Sequence, residues 1–443
     1  MKILGFWKMK AIVTIALALR GLITVCSPIL CEYLETHPQI VTPLTGFGPV
    51  KEATHLLSYG MDPYRQGQIF HQPPLVLSMV HVFRSLDERN IIVRLCMQAV
   101  LFLLEIITAY LLSEVYDRIS KGRASEIRSD LKELRGTSEK LKLRIVTEAE
   151  SRGLLSQIDQ IGYILFASIL LNPFSILANC ALTSEILNHF LLTLTLYLTV
   201  QGHVAASAFV CSIANHMDVH VVLLIPSLLM LIPRRRTSTL VSWCIIYASC
   251  LLGSLLLSAE LLNTWSFMKE CYVWQFTMQD ITPNIGIFWY TFMEMFDRFW
   301  SYYLFIWNIN PVMYVIPIAY KFQDDPLLVF VSTYYIISLF RVFPTCGSIT
   351  FAIALLMLHP EQLCRVRFFE EYVVAIFAFS AMCFAQWHLW TETISGNANY
   401  FWFQSMGLMF TAMLIGMNFF RSAVMIQRAR LEVKSSSSLE KSK

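Results

Sequence analysis

At 443 residues, with 56% hydrophobic and 15% charged residues, the chain excludes a water-soluble enzyme. Its mean hydropathy is +0.55. Its many apolar runs, several near the roughly 20 residues that cross a bilayer as a helix, set the class as a polytopic helical membrane protein. A net charge of +3 says little by itself; the placement of the charges decides orientation.

The first span is expected over residues 9–28. Lys2, Lys8 and Lys10 precede it and put the N-terminus in the cytosol by the positive-inside rule. Arg20 interrupts the run and no convincing small-residue cleavage site follows, so it reads as a retained span rather than a signal peptide. Residues 29–90 then form a long first lumenal loop, in which the short apolar run 75–83 is expected as an interfacial helix. The second span covers 91–116. The loop 117–152 interleaves basic and acidic residues at helical spacing and carries no aromatics, which suits a solvated cytosolic helix and not a nucleic-acid surface. Further spans are expected at 159–178, 184–201, 204–215, 218–232, 239–261, 299–320, 327–340, 346–358, 368–390 and 400–420.

These make about twelve spans in a single membrane domain over 1–443, with a lumenal interfacial segment at 262–298 and a polar, disordered cytosolic tail at 421–443. Both termini are then cytosolic, and the basic clusters fall on the cytosolic side except Arg298 and Arg341. Eleven cysteines are scattered through apolar runs with no C-x-x-C pair, so neither zinc nor redox chemistry is supported. Cys26 and Cys31 bracket the end of the first span, a spacing that permits a disulfide without arguing for one. There is no N-x-Ser/Thr acceptor.

The least lipid-like segment between the two hydrophobic halves runs from Asp280 to Trp300. Pro283 suits the first position of a helix that Thr282 would cap; Asn284 adds to the polar opening. Trp289 and its aromatic neighbours suit the headgroup level, and Glu294 is spaced i, i+4 from Arg298 for an ion pair. Either this is an interfacial connector or it is a site for a lipid or a partner protein. The other unusual polar-aromatic segments, including 387–402, converge on the same lumenal side.

Individual residues leave alternatives open. Asp62 before Pro63 reads as a turn former or as a catalytic carboxylate; Glu52 is the other candidate base in that loop. His71, ahead of Gln72-Pro73-Pro74, is a structural histidine or a phosphate contact. His388, between Trp387 and Trp390, is an aromatic-belt residue or a ligand contact. Asn397 and Asn399 form a turn around Gly396 or recognise a lipid head, since an amide both donates and accepts. Glu105, Asn188 and His189 lie inside spans and need internal partners. Cys271, His216 and Asp218 show no spacing that joins them into a catalytic group.

In chain order, Asp62-Pro-Tyr with Phe70-His-Gln-Pro-Pro-Leu75, Leu171-Asn-Pro-Phe-Ser-Ile-Leu177, and Asp280-Ile-Thr-Pro-Asn-Ile-Gly-Ile-Phe-Trp-Tyr290 with Glu294-Met-Phe296 form a pattern. Ile309-Asn310 with Ile316-Pro317, Phe343-Pro-Thr345 with Gly347, and Trp387-His-Leu-Trp390 with Asn397-Ala-Asn399 complete it. With these pieces the chain resembles the PIG-U family, subunits of the GPI transamidase of the endoplasmic reticulum membrane. The resemblance implies a fold similar to multi-span, C-class glycosyltransferases but with no catalytic acidic motif, metal or cofactor. It implies a non-catalytic subunit that helps hold the GPI glycolipid, and perhaps a precursor's C-terminal signal peptide. The transfer itself would belong to a cysteine-protease-like partner subunit. Asn397, Asn399, His388 and Trp390 would be the lipid-binding residues. Asp62, Phe70, His71, Pro74, Asp280, Pro283, Asn284, Trp289 and Glu294 would form structural or partner-contact motifs. The alternatives are an active glycosyltransferase using a dolichol-phosphate sugar, with Asp62 or Glu52 as base, and, ranked last, a transporter.

Overall fold

The computed structural model describes residues 2–65, 70–81, 91–133, 154–233, 236–277 and 281–441. Among these residues no strand occurs, and the chain folds as an all-α polytopic bundle. Seven of the described helices are long and apolar enough to cross a membrane: Trp7–Cys26, Ile91–Gly122, Gln160–Cys180, Thr237–Leu262, Asp297–Lys321, Phe369–Thr391 and Ala398–Arg428.

The remaining expected spans are shorter. Glu185–Gln201 has 17 residues, Val204–Met217 14, Pro326–Phe340 15 and Cys346–Leu356 11. The stretch expected at 218–232 is a 3-10 segment, Val219–Leu224, that passes into the α-helix Ile225–Leu231 at Pro226. At 1.5 Å per residue, Cys346–Leu356 is about 16 Å long, roughly half the thickness of a hydrocarbon core. Such short helices persist because protein surrounds them. Every residue from Leu327 to Leu339 is buried, the mark of a helix that is apolar all round. The outer helices are the opposite: Thr237–Leu262 buries Trp243, Ser258 and Ala259, and Asp297–Lys321 buries Pro311 and Val315.

Charges inside the bundle have partners. Arg20, which interrupts the first span, donates to Glu105 of the second at 2.8 Å and to the Leu170 carbonyl at 3.1 Å. Ser175 completes this knot by donating to Glu105 at 2.5 Å. The third span breaks at Asn172, whose side chain caps the short helix Pro173–Cys180 by accepting from the Phe174 N–H. His189 stacks on Phe351 with ring centroids 4.0 Å apart. Arg341 pairs with Asp218 at 2.7 Å, and His220 bonds the same carboxylate at 3.0 Å.

Two further expectations change. The segment 421–443, expected as a disordered tail, continues the helix Ala398–Lys441 through its last described residue. It contains no glycine or proline, and Arg, Gln, Leu, Glu and Lys all favour helix. The start of the loop 117–152 continues the helix Ile91–Glu133, while 134–153 lies outside the described residues. The interfacial helix runs Pro74–His81, and 82–83 lie outside.

Candidate functional site

At one end of the bundle, the first loop is drawn inward. Residues 37–42 and 45–47 are buried, so their backbone polar groups need partners. They find them on two helix starts. The Gln39 carbonyl accepts from Cys346 N–H at 2.9 Å, and the Thr45 carbonyl accepts from Ser184 N–H at 3.0 Å. Gln39 also donates through Nε2 to the Ser380 carbonyl at 3.1 Å. Gln72 donates to the Gly46 carbonyl at 2.5 Å and accepts from Ser184 Oγ at 3.1 Å. Thr345 and Ser348 form a capping box on Cys346–Leu356, and Thr345 Oγ1 also donates to Glu185 at 2.5 Å. A Cβ at Gly347 would stand 2.8 Å from Glu185 Oε2, so a larger residue there would displace that carboxylate. His37, buried against Phe384 at 4.0 Å, is held neutral, because burial lowers it to about 3.

The motif residues of the first loop serve this scaffold. Asp62 accepts from Tyr64 N–H at 2.9 Å and from Ser266 Oγ at 2.7 Å, and pairs with Arg65 at 3.3 Å. Its bond to the Tyr64 N–H closes the turn at residues 63–65. Phe70 is buried against Tyr64. His71 is buried, stacks on Trp274 at 3.7 Å and bonds the Glu270 carbonyl at 3.0 Å, so the structural reading fits it. Pro74 opens its helix and is buried. Glu52 is exposed. Cys271 donates to the Gln72 carbonyl at 3.2 Å, whereas His216 bonds Tyr272 and Ser258; the two do not meet.

The stretch after Asp280, itself outside the described residues, corrects two expectations. No helix starts at Pro283, and Thr282 caps nothing: residues 281–284 are irregular and the helix is Phe288–Met293. Asn284 takes over, its side chain accepting from Gly286 N–H at 2.7 Å and donating to the Thr282 carbonyl at 3.1 Å. The close approach to Pro344, 3.0 Å from where a Gly286 Cβ would sit, favours this tight turn over a helix start. Nor do Glu294 and Arg298 share a helix. The chain breaks between Met293 and Asp297, and among the described residues no ion pair joins the two. Glu294 is exposed and Pro283 half-buried.

What the sequence separates by about a hundred residues, the fold brings together. Tyr290 donates to Asn399 Oδ1 at 2.5 Å and stacks on Trp402 at 4.6 Å. Trp289, fully buried, lies 6.4 Å from Trp390 and 6.3 Å from Phe401. Trp387 packs on both Trp390 and Phe401, and on His37 of the first loop. His388 lies exposed beside Tyr33 at 6.5 Å. Asn397 is exposed and caps the Ala398–Lys441 helix by accepting from Tyr400 N–H at 3.1 Å. Both asparagines thus spend their carbonyl oxygen inside the fold. The result is an aromatic cluster beside Asn399, at the N-terminus of a 44-residue helix whose dipole favours an anion.

This arrangement occurs in a chain whose residues 14–408 match the family model described as GPI transamidase subunit PIG-U. The chain belongs to the PIG-U family. Among curated proteins it is similar to the GPI-anchor transamidase component PIGU of Mus musculus, 27% identical over 384 residues that cover 84% of each chain. The Homo sapiens counterpart is 26% identical over 384 residues with the same coverage. The GPI transamidase component GAB1 of Saccharomyces cerevisiae is 25% identical over 409 residues, 91% of each chain. This PIG-U family chain is thus a multi-pass GPI transamidase subunit, a component of a complex.

Sequence reasoning missed most of the scaffold beneath the site: Gln39, Thr45, Gln72, Ser184 and Glu185. One signal was available. Thr345-x-x-Ser348 ahead of an apolar run has the spacing of a capping box and marks the helix start that receives the first loop.

Proposed function

We propose that this PIG-U family chain is a non-catalytic subunit that holds the GPI glycolipid for transfer to a precursor protein in the endoplasmic reticulum membrane. The observation that carries this is the meeting of Tyr290 with Asn399 over the cluster of Trp289, Trp387, Trp390 and Phe401. The amide groups of Asn397 and Asn399, with the helix N-terminus between them, suit the phosphate and sugar oxygens of a glycolipid head. The aromatic faces suit sugar rings and the acyl boundary. Both termini lie in the cytosol and the site faces the lumen. Bond breaking falls to a cysteine-protease-like partner subunit. The carboxylates that a glycosyltransferase reading needs support this division: Asp62 is committed to a turn, and Glu52 is exposed.

The test is Asn397→Ala combined with Asn399→Ala in cells lacking the native chain. The expected result is a complex of normal composition by co-immunoprecipitation, with lowered GPI-anchored protein at the surface and uncleaved precursors accumulating. Normal attachment in the double variant would overturn the lipid-site assignment.

A further inference from the structure

Two of the stretches that stand out in the sequence, Leu171 to Leu177 and Phe343 to Gly347, take no part in the glycolipid site. Asn172 and Ser175 of the first and Gly347 of the second line one cavity inside the bundle, together with Glu185 and His189. Its volume is about 40 Å³, room for roughly three water-sized particles at about 10–15 Å³ each. Glu185 is 4% exposed and opens the helix Glu185–Gln201. Its Oε1 accepts from Thr345 Oγ1, and His189 Nε2 stands 3.9 Å from that same oxygen. Its Oε2 has no hydrogen-bond partner among the described residues and lies against Gly347, where the absence of a Cβ leaves room for it. The arginines of the region are engaged elsewhere, Arg20 with Glu105 at 2.8 Å and Arg341 with Asp218 at 2.7 Å. A carboxylate buried in this way is costly in a low dielectric unless something neutralises it. The rest of the lining is poor in donors. Thr108 gives its hydroxyl hydrogen to the Leu104 carbonyl, Ser168 to that of Leu165, and Ser175 to Glu105. Asn172 donates to Thr350. The three hydroxyls have lone pairs, and no hydrogens, left for whatever fills the cavity.

We propose that this cavity binds one monovalent cation, potassium or an ion of its size, through Glu185 Oε2 and the neutral oxygens of Ser168, Asn172 and Ser175. One uncompensated carboxylate matches a single positive charge. Calcium takes about 6–8 oxygens, several of them from carboxylates, and the Glu105 carboxylate is already held by Arg20 and Ser175. Among the described residues no group of three His, Cys, Asp or Glu gathers to hold a metal of that kind. The cation also supports the first loop. Thr345, which bonds Glu185, caps the helix that receives Gln39, and Ser184, next to Glu185, donates to the Thr45 carbonyl at 3.0 Å. Filling the cavity therefore steadies both helix starts on which that loop docks.

The experiment compares two electron cryo-microscopy maps of the wild-type complex. One is prepared in thallous nitrate, whose ion is a heavy stand-in for potassium; the other is prepared in N-methylglucamine nitrate, whose cation is too large to enter. The expected result is a difference peak in the cavity beside Glu185 Oε2. Equal density in the two maps means water alone or a protonated Glu185, and overturns the proposal. In parallel, the thermal midpoint of the complex should rise saturably as potassium replaces N-methylglucamine at constant ionic strength. Glu185→Gln keeps an acceptor for Thr345 and places an amide NH2 where Oε2 was. Its midpoint should no longer respond, and it should bind one thallous ion fewer than wild type. A response equal to wild type assigns the cation to another subunit and overturns the proposal. The maps need no variant, so they decide even where Glu185→Gln fails to assemble.

Discussion

Replacing Arg20 by leucine tests whether the first crossing is held by charge as well as by packing. Arg20 is 2% exposed and Glu105 4%, so neither is solvated when its partner is lost. Arg20→Leu leaves Glu105 with Ser175 as its sole bonded side chain among the described residues. Breaking a buried pair on one side costs about 3–5 kcal/mol, mostly from the stranded charge. At about 1.4 kcal/mol per tenfold, the folded-to-unfolded ratio falls by roughly two to three and a half orders of magnitude. Removing both partners, as Arg20→Leu with Glu105→Leu, abolishes the stranded charge and should recover most of that loss. The assay is the thermal midpoint and yield of the detergent-solubilised complex, compared across wild type, the two single variants and the double. If Arg20→Leu matches wild type, the pair contributes nothing and the argument from stranded charge is wrong. If the double variant is as unstable as the single, packing and not charge is what was lost.

Tyr290→Phe removes the hydroxyl that bonds Asn399. A loss of about 0.5–1.5 kcal/mol is expected, about two- to twelvefold in lipid affinity, measured by retention of radiolabelled GPI on the purified complex. Gly407→Leu drives a side chain into Phe379, whose Cε1 would stand 2.5 Å from the new Cβ. Overpacking of about 1–3 kcal/mol should lower the thermal midpoint, while Gly48→Ala, where a Cβ meets nothing within 4 Å, serves as the control. His37 titrates near 6.5 when unfolded and near 3 in the fold, so its burial contributes stability above the higher value. That contribution is lost as pH falls through the window between them. His37→Phe should flatten the fall of the thermal midpoint across that window.

Much of this was legible because hydropathy and aromatic placement are local properties. The long crossings followed from apolar runs, and the stretch around Trp289 and the one around Trp390 each stood out by composition. That Tyr290 would touch Asn399 was not legible, since nothing local encodes a pair 109 residues apart. Arg20 and Arg341 looked like exceptions to their surroundings; each is explained by a carboxylate from a distant helix, Glu105 and Asp218. The expected Glu294–Arg298 pair failed for the opposite reason. Spacing implies contact when a helix runs through both residues, and here the helix stops between them. The short inner helices deceived by length, because helices enclosed by others need not match a bilayer.

The inward course of the first loop sets a timetable for biosynthesis. Gln39 leaves the ribosome early, yet its bonding partner Ser380 is 341 residues further along the chain. At about 5–20 residues per second, roughly 17–70 s pass before that partner is made. Through that interval the loop can meet the helix start at Ser184 but not its partners Cys346 and Ser380. Docking of its 37–42 part is therefore completed late, after those C-terminal helices are made. Mutations that weaken its docking should then act as maturation defects, visible in newly made chains under quality control, while chains that have already closed keep their normal lifetime.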